Sequence, residues 1–450
     1  MAADGAGAPA AQPRDPLAVV RGRGYPVLLV LAAALGAPVA AVAFGFLALT
    51  DRLQSWTYTD LPRALGFDGT PSWWPVPLLA VAGLLTALTI RHLPGTAGHR
   101  PTEGLSAEGA PPARDPPGVV LAALTSLGLG AVLGPEAPLI ALGAGLGAVA
   151  VRLVVRGAPP NVVAAMGAAG SFAAISTLLG SPLLGAFLLM EASGLGGAVL
   201  DVVLVPGLLA SGIGALMFTG LGSWTGLGTY SLTLHDIPHA HAPTAAEFGW
   251  ALVTGVAAAC VGQGIKRLGV LLEARIAPRA VRGTVLAGLA VGALALAYAE
   301  GSGRAASEVL YSGQNALGPL LDGSARYSVG ALLLLLVCKA LAYGVSMSCF
   351  RGGMVFPSMF VGAVGGIALS HCPGLSLAPA FAMGIGGMCV AVLRLPLTSV
   401  LLATLLMGSD GLTVMPLVIT AVAVAYVTSL RLEPAAPAAG RAAGGVSGGS

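Results

Sequence analysis

The chain has 450 residues, 56% of them hydrophobic and 9% charged, with mean hydropathy +0.87 and a formal net charge of +3. Soluble domains carry about 25% charged residues, so the composition excludes a water-soluble globular protein and requires an integral membrane protein. No segment resembles a nucleotide-binding loop, a nucleophile elbow or a basic nucleic-acid face, which excludes an ATP-driven pump and a nucleic-acid partner.

In chain order, residues 1–24 are mostly Ala, Pro, Gly and charge, without an apolar core of signal-peptide length, and read as a disordered tail. A first span is expected over Tyr25 to about Thr50, and Arg14, Arg21 and Arg23 ahead of it predict a cytoplasmic N-terminus. The loop Asp51 to Ser72, with Trp56 and Tyr58 and followed by Trp73 and Trp74, reads as an outer interfacial aromatic belt. Arg91, Arg100 and Arg114 mark a return to the inside, as do Arg152 and Arg156. Lys266, Arg267, Arg275, Arg279 and Arg282 are the densest basic cluster and are also placed inside. Uncharged runs from Gly157 to Met190, Val202 to His235, Val355 to Leu393 and Gly411 to Leu430 each supply one or more spans of about 20 residues. Gly and Pro interrupt most of them, which predicts short, tilted or broken helices covered by other protein.

The expected fold is thus an all-α, polytopic membrane domain over 25–432, in halves of about 25–218 and 247–432, with a disordered tail at 433–450. The halves meet in the polar region Gly220 to Glu247. His235, Asp236, His239 and His241 there match no established zinc-ligand spacing and read as a solvated loop, not a metal site or pH sensor. Cys260, Cys338, Cys349, Cys372 and Cys389 are odd in number and scattered in apolar context, so buried free thiols are expected. No cofactor is implied.

Glu136 is the single charged side chain between Gly118 and Val151, in the run Gly134-Pro135-Glu136-Ala137-Pro138. An isolated carboxylate at membrane depth costs several kcal/mol, ~3 on insertion scales, unless it faces a pore, takes up a proton or meets a positive dipole. Proline is favoured in a helix's first turn, so a helix is expected to start here. Its free N–H groups and positive dipole end would make an anion site. Glu136 can fill that site as a tethered carboxylate, and its protonation would admit a free anion. A protonated or snorkelling glutamate without a role is the alternative.

An internal repeat supports the site. At a fixed offset of 219 residues, Gly134, Pro138, Gly143 and Gly147 recur as Gly353, Pro357, Gly362 and Gly366. Ser181-Pro182-Leu183 has a looser echo in Leu395-Pro396-Leu397. Repeats with interrupted helices at matching positions mark transporters whose site lies near the midplane. In the second half, Gly353 and the bare amides of Met354 and Val355 would face that site without an acid, unless the glycines serve helix packing alone.

With these motifs in hand, the chain resembles the CLC family of chloride channels and proton-coupled chloride transporters over about Tyr25 to Leu432. Gly134 to Pro138 resembles the family's Gly-Arg/Lys-Glu-Gly-Pro, and Gly353-Met354-Val355-Phe356-Pro357 its Gly-x-Phe-x-Pro, with Val355 in the Phe slot. Leu393 to Thr398 and Pro182 to Glu191 resemble two further family segments, and Lys339 and Ser370 lie in matching context. The resemblance implies two inverted halves, a homodimer with one pore per protomer, and chloride, or a similar small anion, and protons as cargo. It also implies multi-pass placement in a bacterial-style inner membrane among its lipids, and no enzyme activity. Helix N-termini including Pro135, Ala137, Gly353, Met354 and Val355 would coordinate the anion, with Glu136 as gate and proton carrier.

The departures are equally specific. The family's Gly-Ser-Gly-Ile-Pro segment reads Thr96-Ala97-Gly98-His99-Arg100 here, so Ala97, beside Gly98, takes the place of the anion-binding serine. Thr96 lies one residue off, and Arg100 is either an added anion attraction or a solvated cytoplasmic residue. Glu191 takes a structural acid position, with Ala192 where a proton-carrying glutamate is usual, so Glu191 either substitutes as proton carrier or serves as a helix-end acid. The family's pore tyrosine has no match, since Tyr426 lies inside the final apolar run. Chloride/proton exchange, a passive chloride channel, a fluoride-handling variant and a non-transporting homologue follow as readings, with exchange preferred.

Overall fold

A computed structural model of the chain describes residues 21–22, 24–105, 115–193, 198–226, 234 and 239–433. The two tails and the pair His235 and Asp236 lie largely or wholly outside the described residues. Seven principal helices make up the first half: α1 (Gly24–Ser55), α2 (Pro75–His92), α3 (Pro116–Gly128), α4 (Glu136–Val154), α5 (Pro160–Leu179), α6 (Pro182–Ser193) and α7 (Ala198–Thr225). Seven more follow in the second: α8 (Ala245–Ile276), α9 (Ala280–Ser302), α10 (Val329–Cys349), α11 (Val355–Leu369), α12 (Leu377–Leu393), α13 (Pro396–Leu406) and α14 (Gly411–Leu432). α7 continues through Gly220 to Thr225, and Gly226 with positive φ follows it.

Among the described residues, eight helical stretches are long and apolar enough to cross a membrane, and α3, α6, α11, α12 and α13 are shorter apolar helices. At 1.5 Å rise per residue, the 13 residues of α3 reach about 20 Å, short of the ~30 Å hydrocarbon core. By contrast, α1 and α8 have 32 residues each, about 48 Å, and must tilt.

Packing repeats as the sequence does. α4 lies on α5 as α11 lies on α12, α5 on α7 as α12 on α14, and α1 on α7 as α8 on α14. The repeated glycines explain the tightest contacts. A Cβ on Gly143 or Gly147 would stand 2.3 or 2.0 Å from the Gly170 or Met166 carbonyl oxygen of α5. A Cβ on Gly362 or Gly366 would stand 2.3 or 2.2 Å from the Gly384 or Ala380 oxygen of α12. Backbones touch directly in both halves, which only glycine permits.

The halves meet head to head. Gly134 N–H donates to the Gly353 oxygen at 2.9 Å and Gly353 N–H to the Gly134 oxygen at 2.5 Å, an antiparallel bridge between residues that are equivalent in the repeat. Equivalent residues paired antiparallel are related by a local two-fold axis, the relation that inverted repeats require. Side chains seal the crossing reciprocally: Val132 N–H donates to Ser346 Oγ at 3.1 Å, and Arg351 N–H to Ser126 Oγ at 3.2 Å. The end of α3 is sealed likewise, with Gln54 Nε2, Thr57 Oγ1 and Tyr58 Oη donating to the carbonyls of Leu127, Gly128 and Leu129. Broken helices persist in a membrane because such groups satisfy their ends.

Two opposite faces can be told apart. At one, Arg100 pairs with Glu273 at 2.7 Å and Lys266 with Glu433 at 3.6 Å, so the residues after α2, the basic end of α8 and the end of α14 share a face, as expected from the arginines. At the other, Ser72 Oγ donates to Glu300 at 2.6 Å beside the start of α2. Trp73 there is 47% exposed, but Trp74 is 7% exposed and donates to the Thr57 oxygen at 2.9 Å, so it supports the loop fold instead of an interfacial belt. Of the thiols, Cys338, Cys349 and Cys389 are buried, whereas Cys260 is exposed and Cys372 intermediate, so burial holds for three.

Candidate functional site

Pro135 caps α4 and Glu136 is its first residue, as Met354 caps α11 and Val355 is its first. Pro138 and Pro357 are then third in each helix, where a missing N–H costs nothing. Glu136 is fully buried. Its side chain turns back across the bridge, and Oε1 accepts from the Phe356 N–H of α11 at 2.8 Å. A carboxylate on the second amide of a helix makes the contact a capping side chain makes, here contributed by the opposite half.

Two glycines shape the space. A Cβ on Gly353 would lie 1.7 Å from Glu136 Oε2, and one on Gly134 would lie 2.2 Å from the same atom. The carboxylate thus occupies volume that any side chain at either position would take. Oε2 has no hydrogen-bond partner. A buried charged oxygen left open in this way marks a position that another donor or a proton can complete. Beside Pro135, a cleft of about 50 Å³ is lined by Asp51, Gln54, Ser312 and Asn315 among others. That volume is large enough for water, which needs about 10–15 Å³.

A profile described as "Voltage gated chloride channel" matches residues 82–430, most of the chain. The chain belongs to the voltage gated chloride channel family. Its curated relatives include the "Putative ion-transport protein YfeO" of Escherichia coli (strain SMS-3-5 / SECEC), 28% identical over 391 residues that cover 83% of this chain and 86% of the relative. The same-named protein of Escherichia fergusonii matches at 28% with the same coverage. Among solved structures, a slow cyanobacterial Cl⁻/H⁺ antiporter matches with TM-score 0.69 at 19% identity, covering 90% of this chain and 94% of that one. A CLC-type fluoride/proton antiporter matches with TM-score 0.66 at 19% identity, covering 90% and 95%. The fold is the family's, the chain is a multi-pass membrane protein, and family and neighbours are ion channels and transporters, not enzymes.

The second-half amide at hydrogen-bond distance from Glu136 Oε1 is that of Phe356, the second residue of α11, next to Met354 and Val355 at its start. A capping side chain contacts the second or third helical amide. Ala97 and Gly98 do not open an α-helix. Residues Gly95, Thr96, Ala97 and Gly98 all have positive φ, from 48° to 86°, in a tight turn that follows α2. Loss of the family's proline two residues on, at Arg100, removes the residue that would preset a helical start.

Glu191 accepts from the N–H groups of Leu397 at 3.0 Å and Thr398 at 2.8 Å, and from Thr398 Oγ1 at 2.7 Å. It is an N-terminal cap for α13 contributed by the other half. His239 pairs with Asp410 at 3.3 Å and His241 with Glu247 at 3.6 Å, so these histidines engage different acids. Among the described residues, no group of three or more His, Cys, Asp or Glu is placed to hold a metal.

Two residues went unread in the sequence. Tyr343 on α10 is fully buried, donates to the Met354 oxygen at 3.0 Å, and is close enough to Glu136 to feel its charge. Arg351 is 6% exposed at the crossing itself.

Proposed function

We propose that the chain exchanges chloride, or a similarly small anion, for protons across an inner (plasma) membrane, with Glu136 as gate and proton carrier, both termini cytoplasmic and two copies associating. The observation that carries this reading is the ionisable Glu136 carboxylate seated on the Phe356 amide between Gly134 and Gly353, with Oε2 open. As an anion, Glu136 occupies the dipole-positive start of α11 and excludes a free anion from it. A proton removes the charge that holds it there, the side chain leaves, and a permeating anion takes the Phe356 N–H. Return of the carboxylate expels the anion and requires release of the proton, so the two movements run in opposite directions. The Cl⁻/H⁺ and F⁻/H⁺ antiporters among the neighbours support exchange.

A passive channel is the second reading. What favours it is Glu191, whose oxygens are engaged in capping α13, leaving no second acid assigned to proton delivery. Paired flux measurements on purified protein in liposomes decide between them. Exchange gives proton movement opposite to chloride or fluoride; Glu136→Gln should abolish the proton movement and spare the anion flux. Proton movement unchanged by that substitution would sink the gate assignment, and anion flux with none in the wild type would leave the channel.

A further inference from the structure

Arg351 stands at the repeat position of Val132, since 132 plus the offset of 219 is 351. The two residues make the same backbone bond, each donating its N–H to a serine of the opposite half. The scaffold at this position is therefore complete with a valine, and Val132 is fully buried. An arginine there needs another reason.

Among the described residues, no carboxylate lies within ion-pair distance of its guanidinium. Nη1 donates to the Phe350 oxygen and Nη2 to the Thr96 oxygen, each at 3.3 Å, while Nε is buried without a partner. The acids on that side, Glu273 and Glu103, are bonded elsewhere. Glu273 already bonds Arg100 and Thr102, and Glu103 bonds the Arg100 N–H. A buried cation with an unmet donor and no counter-ion is strongly disfavoured unless an anion completes it.

Its position fits such an anion. Arg351 is two residues from Gly353, so their Cα atoms lie within about 7 Å, and Gly353 borders the Glu136 carboxylate. Thr96 and Arg100 follow α2 at the basic face. The cleft beside Pro135 lies at the other face, near Tyr58 and the start of α2. Arg351 thus reaches toward the basic face and the cleft opens toward the other.

We propose that Arg351 binds the permeating anion on the basic-face side of Glu136, its Nε–H replacing the hydroxyl lost at Ala97. This rests on the anion-transport reading above. The site takes a small monovalent anion, because it offers one buried N–H and one positive charge.

The test uses the full chain in liposomes and in detergent, with chloride as the probe. Arg351→Val restores the residue that the first half already tolerates. It should raise the half-saturating chloride for flux tenfold or more and abolish the chloride-dependent rise in melting temperature measured against gluconate. Arg351→Lys keeps the charge without the fork and should fall between. A merely structural arginine would change the melting temperature in gluconate but leave the chloride increment intact. Half-saturation and increment both unchanged in either assembled variant would overturn the assignment while anion transport stood. Wild-type protein with neither flux nor a chloride increment would instead defeat the transport reading, and this proposal with it.

Discussion

Replacing Gly353 by alanine should open the gate without unfolding the protein. The added Cβ would lie 1.7 Å from Glu136 Oε2 and 2.6 Å from its Cδ. Non-bonded atoms settle at about 3.5 Å, so the carboxylate must retreat by about 1.8 Å. A retreat of that size along the bond stretches the 2.8 Å contact with Phe356 N–H well beyond hydrogen-bonding distance. A hydrogen bond to a charged group contributes about 1.5–3 kcal/mol, which is about a 10- to 150-fold loss in occupancy of the closed position. Gly353 does not have positive φ, so alanine adds no backbone strain. The assay is chloride and proton flux from the same liposomes: chloride flux should rise at least severalfold and protons moved per chloride should fall. Gly249, with open space around its Cβ position, is the control, and its alanine variant should transport as wild type. If Gly353→Ala matched wild type in both flux and ratio, the closed position of Glu136 would not be the gate.

Three further outcomes follow from the packing. Lys339 is fully buried and donates to the carbonyls of Glu308, Leu310 and Tyr311 at 3.2, 2.6 and 3.1 Å, so Lys339→Met leaves three buried acceptors unmet. At about 1–3 kcal/mol per unmet group, the variant should lose several degrees or more of melting temperature in detergent, and an unchanged melting curve would contradict the clamp. Gly362→Ala sets a Cβ 2.3 Å from the Gly384 oxygen; overpacking costs about 1–3 kcal/mol, read as a lower melting temperature, whereas Gly249→Ala should not lower it. Glu191→Gln should weaken the cap on α13, by about 1 kcal/mol, yet leave the proton-to-anion ratio as in wild type; a lost ratio would make Glu191 a proton carrier as well.

The lone charge in an apolar run was the most legible feature, since burying Glu136 without a function is so costly. The same rule applied to the second half singles out Arg351, the one Asp, Glu, Lys or Arg from Ala340 to Leu393. The uncharged run that starts at Val355 leaves it just outside. The repeat was readable because Gly143, Gly147, Gly362 and Gly366 each meet a backbone that tolerates no side chain. Its inversion was not, since direction appears only when Gly134 and Gly353 pair. The turn at Thr96 to Gly98 shows a different limit: four successive positive φ angles are a property of the local backbone that letters do not display.

The bridge between Gly134 and Gly353 also bears on how such a chain can arise by duplication. The repeat partner of Glu136 is Val355, because 136 plus 219 is 355. In a symmetric ancestor of two identical halves, both helix starts would carry the same residue, and two glutamates would compete for a cradle that the glycines cut to the size of one. Crowded like charges of that kind cannot both ionise. Two identical copies cannot carry the acid on one side and the bare amide on the other. Joined in one chain, the halves hold that difference in fixed proportion, one carboxylate to one bare helix start.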